Sequence, residues 1–352
     1  MTPLGDLLIA RIGRTGPITL ADYMADCLMH PEHGYYATRD PLGAKGDFIT
    51  SPEISQMFGE LIGLALAQAW LDQGAPNPFT LAELGPGRGT LMGDALRATR
   101  AIPGFHDAAQ VHFVEGSPVL RSAQAEAVPD AQWHDSPDTL PNGPLFLIAN
   151  EFFDALPIRQ FVRDGSGWRE RMVGLKDNKL HLGLSDATPL TMLAHRLDDT
   201  QDGDLVEICP ALPGIIQMIG TRIDSHGGAA LIIDYGDWQS LGDTLQAVTD
   251  HSPCDPLDQP GAADLTAHVD LAAVAANANP AKHTRLTTQG VFLERLGITN
   301  RAQALAQKLT GDVLQSHIKA HRRLTHPDEM GDLFKVIGLY PATATPPPGL
   351  EP

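Results

Sequence analysis

Phe79-Thr80-Leu81-Ala82-Glu83-Leu84-Gly85-Pro86-Gly87-Arg88-Gly89-Thr90 joins a short apolar run to a glycine-rich turn, and a helical stretch, Leu91 to Thr99, comes next. Apolar residues crowded together mark a strand buried on both faces, the habit of a parallel sheet covered by helices. Glycines bring the backbone close to a ligand without a clashing Cβ, and the helix start behind them presents unpaired amides. The spacing narrows the choice of ligand. A dinucleotide fingerprint needs G-x-G-x-x-G, whose third glycine would fall at Thr90. The chain has G-x-G-x-G, with Glu83 two residues ahead, which conflicts with a nicotinamide oxidoreductase.

Working outward, Val111 to Val114, Leu145 to Ala149 and Ala229 to Ile233 repeat the buried-strand texture, Trp133-His134-Asp135 closes a third strand, and Leu333 to Leu339 reads as the last. Ser51-Pro52-Glu53 predicts an N-cap with proline at the first helical position, opening a helix over 52–72 with Ile54, Met57, Phe58, Leu61, Ile62 and Ala65 on one face. Nearer the start, Ala21 to Met29 is helical in spacing; near the end, so are Phe292 to Leu296 and Ala302 to Leu309. Lys176-Asp177-Asn178-Lys179 between two apolar stretches predicts a hairpin. The architecture implied is α/β and doubly wound. Its expected division is an N-terminal helical lead-in and lid (1–75), a ligand-binding core (76–162 and 228–342), an inserted α+β recognition subdomain (163–227) and a loose tail (343–352).

E-x-G-x-G-x-G resembles the loop of class I methyltransferases, and that resemblance implies a Rossmann-like, mostly parallel seven-stranded sheet with S-adenosylmethionine as cofactor. A sulfonium donor without phosphate suits an acid beside the loop. Gly85, Gly87 and Gly89 would pass beneath the ribose, and Glu83 would order the loop or approach the ligand's ammonium. The second strand ends at Glu115-Gly116-Ser117, where Glu115 could accept both ribose hydroxyls. Asp135, after the third strand, is a candidate acceptor for the adenine amine. A tight structural turn, a solvated strand-end acid and a surface turn are the plain alternatives for these three features.

The fourth strand ends in Asn150-Glu151-Phe152-Phe153-Asp154-Ala155-Leu156-Pro157. Chemistry in open α/β sheets lies beyond the strands' carboxyl ends, so these groups are expected to face the crevice, Asn150 toward the donor. Glu151 and Asp154, three apart, would share one side of a helical turn and could hold a planar guanidinium as a fork. Acids favoured by a helix dipole are the plain alternative for the pair.

Together with Gly34-Tyr35-Tyr36, Gly46-Asp47-Phe48-Ile49-Thr50-Ser51-Pro52-Glu53-Ile54-Ser55 and Gly261-Ala262-Ala263-Asp264-Leu265-Thr266-Ala267-His268-Val269-Asp270, these segments resemble the MidA-like family, the mitochondrial complex I assembly-factor arginine methyltransferases and their bacterial relatives. The resemblance implies a protein arginine as acceptor, in mitochondrial members on a complex I subunit. The paired-glutamate loop of the large arginine methyltransferase family is absent, so that motif gives no acceptor. Gly46, Asp47, Phe48, Thr50 and Ser51 are candidate lid and substrate residues, with a helix-entry loop as the alternative. His268 is explained without chemistry by a helix capped at Thr266.

The 352 residues carry 25 Lys+Arg against 43 Asp+Glu, a net charge of −18, which argues against a partner held by its phosphates. Cys27, Cys209 and Cys254 show no metal spacing, and no stretch reads as a signal peptide or membrane span, so a reducing cytosol and no metal are expected; mitochondrial members of the resembled family begin with an import segment that is not seen here, so the resemblance implies a bacterial cytoplasmic relative. Two rival functions keep the same donor site: a methyltransferase for a small molecule or another residue type, and a non-catalytic S-adenosylmethionine-binding assembly factor.

Overall fold

The computed structural model describes residues 2–38, 50–249 and 252–352. The expected lid residues Gly46, Asp47 and Phe48 lie outside them. The chain divides into two compact units: Met1–Pro41 with Asp154–Leu212 and Asp237–Asp270, and Leu42–Phe153 with Pro213–Gly236 and Leu271–Pro352. This partition departs from the expected one. The N-terminal helices group with the strands of the insertion, and the helix before the glycine loop groups with the main sheet.

In the second unit, seven strands form one path: β1 (Phe79–Leu84), β2 (Ala109–Val114), β3 (Gln132–His134), β4 (Leu145–Asn150), β5 (Gly228–Asp237), β6 (Lys282–His283) and β7 (Phe334–Tyr340). Their spatial order is β3-β2-β1-β4-β5-β7-β6. β1 to β5 are mutually parallel, whereas β7 runs antiparallel to both neighbours. The expected doubly wound, mostly parallel sheet is therefore present, seven of its nine described strands lying on this path. Every residue of β1 and β4 is buried, as their unbroken apolar character requires. The order reverses between β1 and β4, and that reversal opens a crevice at their carboxyl ends.

Helix α1 (Gln56–Asp72) covers the sheet with Met57, Phe58, Ile62, Leu66 and Trp70 against Phe79, Phe105 and Phe146. The single helix expected over 52–72 is two. Ser55 is extended (φ −161°, ψ 136°), ending a short helix Ser51–Ile54, and its side chain accepts from Met57 N to cap α1. Among the described residues, no helix is long and apolar enough to cross a membrane.

The expected loose tail is packed. Leu350 is buried in the main core, and Arg285 N donates to Glu351 O at 2.9 Å, because the proline run turns the chain back over β7 rather than letting it drift.

The first unit holds the predicted hairpin, Gly167–Lys176 with Lys179–Leu184, its turn made by Asp177 (φ 51°) and Asn178 (φ 59°), both residues that tolerate the left-handed region. Its core joins Leu4, Leu8 and Ile12 of the helix Pro3–Thr15 to Tyr23, Ile158, Val173 and Leu265. The Thr266 cap is not formed. Asp264–Thr266 is a strand, and His268 N donates to Thr244 Oγ1 at 2.8 Å.

Candidate active site

The β1 turn is built as its glycines predict: Gly85, Gly87 and Gly89 have φ of 59°, 55° and 80°, in the left-handed region. A Cβ on Gly85 would stand 2.9 Å from Phe152 Cδ2, and one on Gly89 3.2 Å from Ala127 Cβ. Helix α2 (Thr90–Thr99) starts at once, and its Met92 amide is hydrogen-bonded to Glu83. Burial pushes the Glu83 carboxyl up to about 8.

At the end of β2, Glu115 Oε1 accepts from Ser117 N at 2.7 Å and Oε2 from Gln124 Nε2 at 3.1 Å. Burial raises the Glu115 carboxyl, and these donors oppose the rise. Gln124 was not singled out in the sequence. It also donates to Gly87 O at 2.8 Å and accepts from Trp133 Nε1 at 2.8 Å, tying the glycine turn to β2 and β3. Its signal was a glutamine four residues after the buried Leu120, on the inward face of α3 (Pro118–Ala127). Ser117 is the N-cap of that helix, accepting from Leu120 N, and exposed Gly116 leads into it.

Asp135 does not share this burial. Its side chain is 90% exposed and ion-paired with Arg121, whose guanidinium also donates to Glu115 O and His134 O. Because β3 is only three residues long, the acid stands at the protein's rim.

Asn150 closes β4 buried, its Nδ2 donating to Glu151 Oε1 at 3.0 Å. Glu151 comes next at φ 52°, its amide donating to Ile233 O at 2.9 Å and its Oε1 accepting also from Ser51 N at 2.9 Å. Burial raises its carboxyl, and the Ser51 amide, the Asn150 amide and the Arg323 charge pull the other way. The helical turn expected here is absent. The chain bends at Glu151, Phe153 N donates to Asp234 Oδ2 at 3.0 Å, and Asp154 belongs to the first unit, with its carbonyl accepting from Ala267 N. The three-residue spacing therefore puts no pair of carboxylates on one helical face.

Ser51, expected as a cap, is instead the first residue of its short helix, after an N-cap position held by Thr50 without a side-chain bond. It is fully buried, with its amide on Glu151 and its hydroxyl donating to Gln289 Oε1 at 3.3 Å.

A left-handed glycine turn with no room for side chains and two buried acceptors lacking hydrogen-bond partners, Glu83 Oε2 and Asn150 Oδ1, suit a donor-rich ligand such as a nucleoside that carries an amino-acid chain. The comparisons point the same way. Residues 61–291 match the family model Methyltransf_28, described as an S-adenosyl-L-methionine-dependent methyltransferase. The chain belongs to this family. It is 38% identical over 379 residues to "Protein arginine methyltransferase NDUFAF7, mitochondrial" of Homo sapiens, covering 97% of this chain and 84% of that protein. The Xenopus laevis protein of that name is 38% identical over 365 residues, covering 95% and 83%. A Burkholderia thailandensis protein crystallised with S-adenosyl-homocysteine is 28% identical with a TM-score of 0.80, covering 96% of this chain and 91% of its own. This protein is thus an S-adenosylmethionine-dependent methyltransferase with the class I fold. Of the expected donor contacts, the glycine turn, Glu83, Glu115 and Asn150 stand at the carboxyl ends of the adjacent strands β1, β2 and β4, and exposed Asp135 stands apart from them.

Proposed function

We propose that the acceptor is an arginine side chain of a protein and that Glu151 holds its guanidinium and takes up the proton it loses. The carrying observation is a half-buried carboxylate at the carboxyl end of β4, next to the strand that leads into the glycine turn, and held by two donors. Relatives called protein arginine methyltransferases, aligned over nearly the whole chain, support the substrate class.

Bound S-adenosylmethionine supplies a methyl group made electrophilic by the sulfonium. A guanidinium is fully protonated at neutral pH and its nitrogens share their electrons, so the residues around it must orient one nitrogen and leave it a path for proton loss. As the N–CH3 bond forms and the S–CH3 bond breaks, that nitrogen sheds a proton to Glu151. The raised affinity for protons that burial gives Glu151 favours this uptake.

The resemblance extends the proposal to a subunit of the respiratory complex I type and to a cytoplasmic setting, and the charge of −18 favours basic segments over nucleic acid. Incubating the full chain with methyl-tritiated S-adenosylmethionine and extract from cells lacking it, then hydrolysing the labelled protein, should release methylarginines. Label only in other residues or in small molecules would overturn the arginine reading, and Glu151→Gln retaining full transfer would overturn the role of Glu151.

A further inference from the structure

Gln289 is completely buried, and both ends of its amide are engaged. Its Nε2 donates to Leu324 O at 3.0 Å, in the last turn of α4 (Gly311–Thr325). Only the NH2 end can serve a carbonyl, so Oε1 faces Ser51, whose hydroxyl donates to it at 3.3 Å. The backbone amide of that same serine lies 2.9 Å from Glu151 Oε1.

We propose that Gln289 is a positioning residue for Glu151, acting through Ser51. A serine anchored by its side chain cannot rotate its amide away from the carboxylate. Glu151 gains more from this than an exposed acid would, since it occupies a left-handed backbone conformation disfavoured for glutamate and its side chain is half-buried. The bond to Leu324 O also fixes the turn from which Arg323 faces Glu151. Burial against β4, the Ser51 and Asn150 donors and the Arg323 guanidinium together set the charge state of this acid.

The inference rests on the reading of Glu151 as proton acceptor, but its test does not need turnover. In full-length protein labelled with carboxyl-13C glutamate, infrared difference spectra against Glu151→Gln follow the titration of Glu151 alone. Gln289→Ala should move its midpoint upward by about one pH unit, because a hydrogen-bonded amide is no longer held on the charged form. Ser51→Ala, which removes the tether but keeps the amide, should move it the same way, and Ser51→Thr should leave it in place. The double variant should shift no further than either single one. Unmoved midpoints, or shifts that sum, would overturn the relay. Should Gln289→Ala fail to fold, the two serine variants decide alone. Full methyl transfer by Glu151→Gln would instead sink the catalytic reading while leaving the relay standing.

Discussion

Thr90 and Glu53, 37 positions apart, are joined by a hydrogen bond of 2.5 Å from the threonine hydroxyl to the carboxylate. Thr90 is the first residue of α2, directly behind the last glycine of the donor turn, and Glu53 lies in the short helix Ser51–Ile54. The segment that touches Glu151 through Ser51 is thereby fastened to the glycine turn as well. Thr90→Val should weaken S-adenosylhomocysteine binding by about tenfold, the low end of what a lost bond to a charged group costs. Unchanged affinity in titration calorimetry would show that the turn keeps its shape without Glu53.

Gly85 has two reasons to be glycine, its φ of 59° and the 2.9 Å approach that a Cβ would make to Phe152. Gly85→Ala is expected to cost about 1–2 kcal/mol in urea unfolding and to reduce donor affinity more than tenfold. An alanine variant of normal stability and affinity would mean that the turn relaxes freely.

For Glu83, burial raises the carboxyl to about 8, so the folded protein holds a proton there that the unfolded chain has lost above about 4.5. This contribution makes the ligand-free protein less stable as pH rises from 4.5 towards 8. A ligand ammonium near Glu83 favours the carboxylate, and binding below pH 8 must expel that proton. Affinity for S-adenosylhomocysteine should therefore tighten between pH 6.5 and 8, by at most about tenfold per unit. Glu83→Gln should flatten this dependence, and a profile identical to the parent's would remove Glu83 from the donor site.

His112 Nδ1 lies 2.9 Å from His134 Nε2, and burial, followed by the charge of His134, pushes His112 down to about 4. Its folded affinity for protons is below that of the unfolded chain, so its contribution to stability is complete above about pH 6.5 and is lost as pH falls towards 4. Urea unfolding should show up to about 3 kcal/mol lost across that window, over and above the loss in His112→Asn. Parallel curves for the two proteins would refute the assignment.

Much of the fold was legible because the strands are buried on both faces and flanked by turn residues. β1, β4 and the Asp177-Asn178 hairpin fall where the pattern places them. The places of Glu83, Glu115 and Asn150 at the ends of β1, β2 and β4 were legible for the same reason: the end of a buried strand fixes where its last polar residues stand. The break at Ser55 was not, since serine fits both inside a helix and at the cap of a new one. Nor was the bend at Glu151, a φ that no residue type announces, and with it went the helical pairing with Asp154. Gln124 and Gln289 escaped notice because their work is done by contacts between distant segments, with no local spacing to betray it. The helix Pro3–Thr15 carried a readable start in Thr2-Pro3, capped as such pairs are.

The first unit is assembled from three stretches of chain, its core pairing Leu4, Leu8 and Ile12 with Val173 and Leu265. During synthesis the opening helix leaves the ribosome some 250 residues ahead of its last packing partners, at roughly 5–20 residues per second. Its apolar stripe is only partly covered for that interval. Neither unit is a contiguous fragment, so no simple truncation of the gene would yield one of them alone.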